Sequence, residues 1–242
     1  MFVIRPTIFV NRKTSALADA AAMSHCRGMT ADRKISPRSR PPRYDGTQNR
    51  LRVLDAALDV FSQVGYEGAG TRAIAAAAGI EQGHLAYYFP NKMALWRQVT
   101  ETFAKQTEQH LKQNLALCDK KETVGTAKTI LPPFLRGFAE NPRLTRLMLQ
   151  EFSVSSERSA WLTEHFACPI WDLLMPLFTR LRADGYLGGS APEIAYFSLI
   201  GSALITFGNG LLIAQFSGSD TTTPTWIEEA IDHMLAPVFI NK

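Results

Sequence analysis

Cysteine is scarce in this chain of 242 residues: Cys26, Cys118 and Cys168 are odd in number and far apart. They form no metal spacing and no disulfide framework, which suits a reducing cytoplasm. The five histidines, His25, His84, His110, His165 and His233, are equally scattered and match no zinc spacing. There is no glycine-rich phosphate loop and no nucleophile–base–orienter set. Cys168 stands on one helical side with His165, where a buried thiol explains it. An enzyme is therefore disfavoured, and no catalytic residue, metal or cofactor is assigned. A secretory signal is lacking as well. Residues 1–10 are apolar but short, and Arg5 and Pro6 interrupt them before any cleavage site.

Charge is unevenly placed. Through Arg50 there are ten Lys/Arg against three acids, a net of +7, while the whole chain carries +4; the remainder is thus −3. A basic front end on a slightly acidic body suggests contact with a polyanion. Residues 1–46 show no sustained period, and 33–43 (RKISPRSRPPR) are basic and proline-rich. This segment is expected to be a disordered arm that tracks phosphates or enters a minor groove, or else a solvated tail. Met23 and Met29 are alternative starts. Hydrophobic content of 46% and charged content of 20% fit a soluble globular protein with a sizeable core.

The most informative stretch is 47–96. Leu51, Leu54, Leu58 and Phe61 recur at helical spacing, with Ala57 and Val64 on the same side and Gly65 placed as a C-terminal cap. A short alanine-rich helix is expected over 71–78, ended by Gly79, and another over 83–88. Pro90 breaks the chain, and Asn91 is a good N-cap for a long helix from Lys92. Two short helices about a glycine turn make a helix-turn-helix, or an ordinary helical corner.

The residues from 69 to 89, with Ile74-Ala75, Ala78-Gly79-Ile80, Leu85 and Tyr87-Tyr88-Phe89, and then Asn91-Lys92 and Ala94-Leu95, resemble the tetracycline-repressor (TetR) family of transcription regulators. The resemblance covers about fifty residues. It implies an all-α homodimer. Its parts are a basic arm (1–46), an N-terminal three-helix reader with a helix-turn-helix (47–92), and a C-terminal helical ligand-binding and dimerisation domain (93–242). The helix from Lys92 would join the two domains and transmit the signal by its tilt.

By position in the family pattern, the recognition helix is 83–88 with Gln82 at its entrance. Such a helix lies in the major groove. Gln82 can pair with adenine and His84 with a purine edge. Tyr87 offers a ring to thymine methyls, and Arg72 reaches a guanine or a phosphate. Thr71, Tyr88 and Lys92 are expected at phosphates, and Gly83 lets the backbone come close. Tyr87 and Tyr88 also have a plainer role, packing between helices. Leu85, Phe89, Ile74 and Ile80 are expected in the core. The chain departs from the family in having Ala69-Gly70 where a hydroxyl often precedes Thr71, Ala86 where tyrosine is common, and His84 for a small hydroxyl residue.

Further helices are expected over 92–117, 126–140, 142–153 and 155–183. Pro132-Pro133 should kink or split the second, Asn141 should cap the third, and Pro169 and Pro176 should bend the fourth. Ser190 to Glu193 and Thr225 to Glu228 read as capping boxes. From 194 to 216 no residue is charged. That length could span a membrane, but Ser198, Ser202, Thr206, Asn209, Gln215 and three glycines argue for a subunit interface. A final helix presents Ile227, Ile231, Met234, Leu235 and Val238. Phe138, Met148, Phe152, Trp161, His165, Trp171 and Phe207 are candidates to line a pocket for an apolar or aromatic effector, although such spacing also suits plain core.

The function expected is a cytoplasmic regulator, a repressor released from a palindromic double-stranded operator by a small molecule. A membrane-anchored regulator and a helical enzyme are the alternatives.

Overall fold

The computed structural model describes residues 46–119 and 122–241. Residues 1–45 of the expected basic arm, with Cys26 and His25, lie outside the described residues, as do 120 and 121 of the expected loop. Among the described residues every regular element is helical. Residues 53–242 group as one compact unit.

The segment expected to be the reader comprises α1 (Gly46–Gly68), α2 (Thr71–Ala78) and α3 (Gln82–Tyr88). The apolar stripe of α1 buries Leu54, Ala57, Leu58 and Phe61, while its ends, Leu51 and Val64, are exposed. Gly65 adopts φ +71°, a conformation that costs glycine little, and sets the last turn of α1 apart. Gly79 closes α2 in the left-handed region at φ +67°, its N–H returning to Ala75 and Ala76. Ile74, Leu85 and Phe89 are buried, and Ile80 is half-buried against them. Each such side chain contributes about 1.5–3 kcal/mol.

Asn91 then starts α4 (Lys92–Leu117), its Oδ1 accepting from the Ala94 N–H at 2.8 Å. Gly70, by contrast, starts α2 with no side-chain cap. The missing hydroxyl ahead of Thr71 thus has a structural consequence.

The body contains α5 (Thr123–Glu140), α6 (Pro142–Phe152), α7 (Glu157–Leu162), α8 (Cys168–Ala183), α9 (Pro192–Gly208), α10 (Gly210–Ser217) and α11 (Pro224–Leu235). Several starts differ from expectation. Helix α5 begins three residues early because Glu122 accepts from the Gly125 N–H at 2.6 Å. A Cβ on Gly125 would meet that carboxylate, so a larger residue there would displace the end of the Glu122 side chain and its cap. Helix α5 also continues through Pro132 and Pro133. The buried Ile130, Leu131, Phe134 and Leu135 on either side hold it against the core.

Asn141 does not cap α6; its amide donates back to the Gly137 carbonyl at 3.0 Å. The reciprocal box lies instead at Ser156, the N-cap of α7, and Ser159 in its first turn. Neither expected box forms later. Helix α9 starts after Ala191 without a side-chain cap, and α11 is capped by Thr223, one residue before Pro224. Pro169 cannot donate to a helical ladder. The chain takes it up with a π turn, Thr163–Ala167, between α7 and α8.

One apolar core runs from Val53 to Val238. Helices α9 and α6 pack together, and Arg146 Nε donates to the Gly208 carbonyl at 3.0 Å. The uncharged run is not one helix. It breaks at Asn209, where α9 and α10 are bent by 73°, and no single described helix is long and apolar enough to cross a membrane.

Candidate nucleic-acid interface

Helix α3 buries only Leu85; Gln82, Gly83, His84, Ala86 and Tyr87 are exposed. Tyr87 is 86% exposed, which excludes packing between helices within this chain. Tyr88 is half-buried and meets Tyr87 edge-on at 5.5 Å. The plainer role expected for these tyrosines therefore fits Tyr88 in part and Tyr87 not at all.

The reader side chains are brought together. Arg72 Nε donates to Gln82 Oε1, and Gln82 Nε2 donates to Thr71 Oγ1, each at 3.5 Å. Bonds this long in water are weak. They pre-orient three polar groups of α2 and α3 while leaving them exchangeable for a ligand's acceptors. Lys92 is half-buried at the first turn of α4, with Nζ 4.3 Å from the centre of the Tyr66 ring. Arg158 lies over the same ring at 4.1 Å. Burial is the largest influence on the Tyr66 phenol and raises its pKa, with Arg158 opposing.

The sequence did not single out the polar ties between reader and body. Arg143 of α6 donates to Asp55 and to Asp59 of α1, both at 2.8 Å. Gln150 donates to the Ser62 carbonyl at 3.3 Å. Arg158 of α7 holds both oxygens of buried Glu151 at 2.9–3.0 Å and reaches Glu67 at 3.1 Å. The available signal was the pair Asp55 and Asp59 at i,i+4, an acidic stripe that otherwise reads as a solvated face.

The seven candidate pocket residues do not converge. Trp161 lies between Trp96 and His165, stacking on the imidazole at 4.5 Å. Phe138 meets Phe134, Trp171 meets Tyr196 and Phe197, and Phe207 meets Trp226. Met148 is buried, while Phe152 and His165 are exposed. These aromatics mostly fill the core, as helical spacing permits. A partly open cleft of about 380 Å³ lies elsewhere, lined by Leu115, Cys118, Thr126, Leu173, Pro176, Leu177 and Arg180. It lies among α4, its C-cap, α5 and α8. Helices α9 and α10 present Ile194, Phe197, Ile205, Leu211, Leu212 and Phe216 to solvent.

Residues 53–99 match the family model described as bacterial regulatory proteins, tetR family. Among curated relatives, the HTH-type transcriptional repressor KstR of Mycolicibacterium smegmatis is 29% identical over 143 residues, covering 57% of this chain and 65% of that protein. The HTH-type transcriptional regulator RutR of Escherichia coli K12 is 50% identical over 44 residues, 18% of this chain and 21% of that protein. The chain therefore spans less than two thirds of either relative. The solved structure of the regulator FadR from Bacillus subtilis in complex with stearoyl-CoA superposes with a TM-score of 0.57 at 14% identity. It covers 78% of this chain and 98% of that one. At that identity the likeness is one of fold.

Proposed function

We propose that this chain, whose residues 53–99 match the model of bacterial regulatory proteins, tetR family, belongs to that family and is a sequence-specific transcriptional regulator of the cytoplasm. It acts as a homodimeric repressor released from a palindromic operator by a small molecule. The observation that carries this is the outward face of α3: one buried anchor, Leu85, and a solvent-facing set of Gln82, His84 and Tyr87. A buried helical corner would have no use for that set.

Gln82 and His84 read base edges, and Tyr87 contacts a base or a phosphate. Arg72 reaches a guanine or a phosphate. Thr71, Tyr88 and Lys92 fix register on the backbone, and Gly83 admits close approach. The basic arm adds sequence-independent, salt-sensitive affinity. Two-fold symmetry supplies the second reader, and recognition helices roughly 34–36 Å apart enter successive major grooves.

The apolar face of α9 and α10 supports the dimer. Monomers rarely expose so many large apolar side chains on two consecutive helices, and an isologous contact between two copies covers them. Residues 47–92 serve as the reader and 93–242 as the body that senses an effector. An effector acts by binding one arrangement of the readers better than the other, and operator affinity falls by that difference.

The test is a gel-shift titration across the region upstream of its own gene at several salt concentrations. A sequence-selective complex that weakens with salt is expected. Absence of any selective complex sinks the proposal. Gln82→Ala with His84→Ala should relax selectivity while the dimer survives.

A further inference from the structure

We propose that Tyr66 is a positioning residue for DNA binding: its ring holds the Lys92 ammonium ready for a backbone phosphate without neutralising it. The inference rests on the reading of this chain as a DNA-binding regulator in which Lys92 meets the duplex.

Other lysines of α4 find carboxylates. Lys105 and Lys112 pair with Glu101 and Glu108 one turn away. Lys92 opens the same helix, where a cation opposes the helix dipole, so helix stability does not explain its place. It forms no ion pair among the described residues. Its Nζ lies instead 4.3 Å from the centre of the Tyr66 ring. Three carboxylates are close enough to act on the Tyr66 phenol, those of Glu67, Glu151 and Glu157. Arginines hold all three: Arg158 donates to Glu67 and Glu151, and Arg97 donates to Glu157 at 2.8 Å. The acids nearest the ring are thus occupied, and the lysine keeps its charge.

That difference matters to an anion. A carboxylate would compete with a phosphate for the same ammonium donors and the same charge. An aromatic face attracts the cation through its quadrupole and carries no net charge. The ring is itself fixed. Gly65 sets off the short last turn of α1 that carries it. Phe61 stacks on it at 5.8 Å and Trp96 meets it edge-on at 6.4 Å, both fully buried, and Arg158 lies over it at 4.1 Å. The flexible stem of Lys92 is therefore held before the duplex arrives, and the cost of ordering it falls on folding rather than on binding.

The test titrates the full-length protein with the upstream fragment that gel-shift selects and with a scrambled duplex of the same composition, at several salt concentrations. Lys92→Met should weaken both complexes and make log K against log salt shallower by about 0.9 per reader. Tyr66→Leu should weaken both about 2- to 10-fold per reader, the cost of ordering one long side chain, and Tyr66→Phe should restore the wild-type affinity. With Lys92→Met already in place, Tyr66→Leu should cost nothing further. The ratio of selected to scrambled affinity should stay constant throughout, since phosphate contacts carry no sequence information. Circular dichroism checks folding. In the unaltered protein, labelled with 13C-lysine, the Lys92 methylene signals, assigned by their loss in Lys92→Met, should be shifted upfield by the ring current.

Losses that add in the double variant, a Tyr66→Phe protein as weak as Tyr66→Leu, or Lys92 methylenes at ordinary positions would each overturn the proposal, because packing alone would then explain Tyr66. A selective complex whose salt dependence Lys92→Met leaves unmoved sinks the positioning role alone. Ring-shifted Lys92 signals in a protein that forms no selective DNA complex sink the regulator reading, and the positioning role with it.

Discussion

Removing the Arg158 guanidinium should cost more stability than any other single charge deletion at the junction of reader and body. Its contacts differ sharply in worth. The pair with Glu67 reaches a carboxylate whose side chain is 81% exposed, and such pairs contribute about 0–1 kcal/mol. Its stacking on Tyr66 contributes roughly 0.5–1 kcal/mol. The pair with Glu151 is of another kind: that carboxylate is 5% exposed, and both of its oxygens accept from Arg158 Nε. Arg158→Met keeps much of the aliphatic packing but leaves a buried carboxylate uncompensated, at a cost of roughly 3–5 kcal/mol. In a chain of this length that lowers the melting temperature by on the order of 10 °C. The assay is urea unfolding monitored by tryptophan fluorescence, at fixed protein concentration because assembly shifts apparent stability. The control is the cycle with Glu151→Met. With both charges gone, most of the loss should return, giving a coupling of at least about 2 kcal/mol. A single-mutant cost below about 1 kcal/mol, or additive effects in the double mutant, would refute the view that burial of Glu151 dominates.

Three further outcomes are expected. Glu228 accepts from Arg136 at 2.6–2.8 Å, and that hydrogen bond lowers its pKa below the usual carboxylate range. Its contribution is therefore present above the ordinary carboxylate pKa and is lost as pH falls through the lowered value. Because the pair is exposed, Glu228→Gln should cost under about 1 kcal/mol at neutral pH. In denaturant titrations the cost should shrink as pH falls below the ordinary carboxylate pKa and vanish only once the lowered value is passed; a cost unchanged throughout that fall counts against the ion pair. Burial pushes Tyr196 up to about 12, so a spectrophotometric titration should show one tyrosine ionising well after the rest, and Tyr196→Phe should remove that late step. Phe197→Glu with Phe216→Glu, at positions 63% and 86% exposed, should yield a folded monomer by light scattering. An intact dimer would move the interface elsewhere.

The local punctuation of the chain was legible because short-range stereochemistry controls it. Gly65, Gly79 and Asn91 do what their residue types favour, and they set the bounds of α2, α3 and α4 almost to the residue. Propensity failed where a competing partner lay nearby. Asn141 reads as an N-cap but donates to Gly137, and Ser190 and Thr225 yield their expected capping roles to neighbouring starts. Pro132 and Pro133 were expected to interrupt α5, yet the buried side chains around them outweigh the lost ladder bonds. Gly208-Asn209-Gly210 is a break signal that the length of the uncharged run outweighed, and the consequence is large: a run long enough to suggest a span becomes two helices at 73°.

The exposed helix and the cleft differ in legibility for the same reason. Helix α3 exposes its polar side chains on one continuous seven-residue element, so order along the chain nearly equals order in space. A cleft assembled from Leu115, Thr126 and Arg180 has no such signature. Its members are ordinary residues for the faces they occupy, and only helix packing makes them neighbours. The aromatic residues that stood out in the sequence did so through size, and large side chains reward burial against one another rather than around an empty volume. Trp161 on His165 and Trp171 on Tyr196 illustrate this. A gap in a helical body is better sought where small or branched residues from three elements meet.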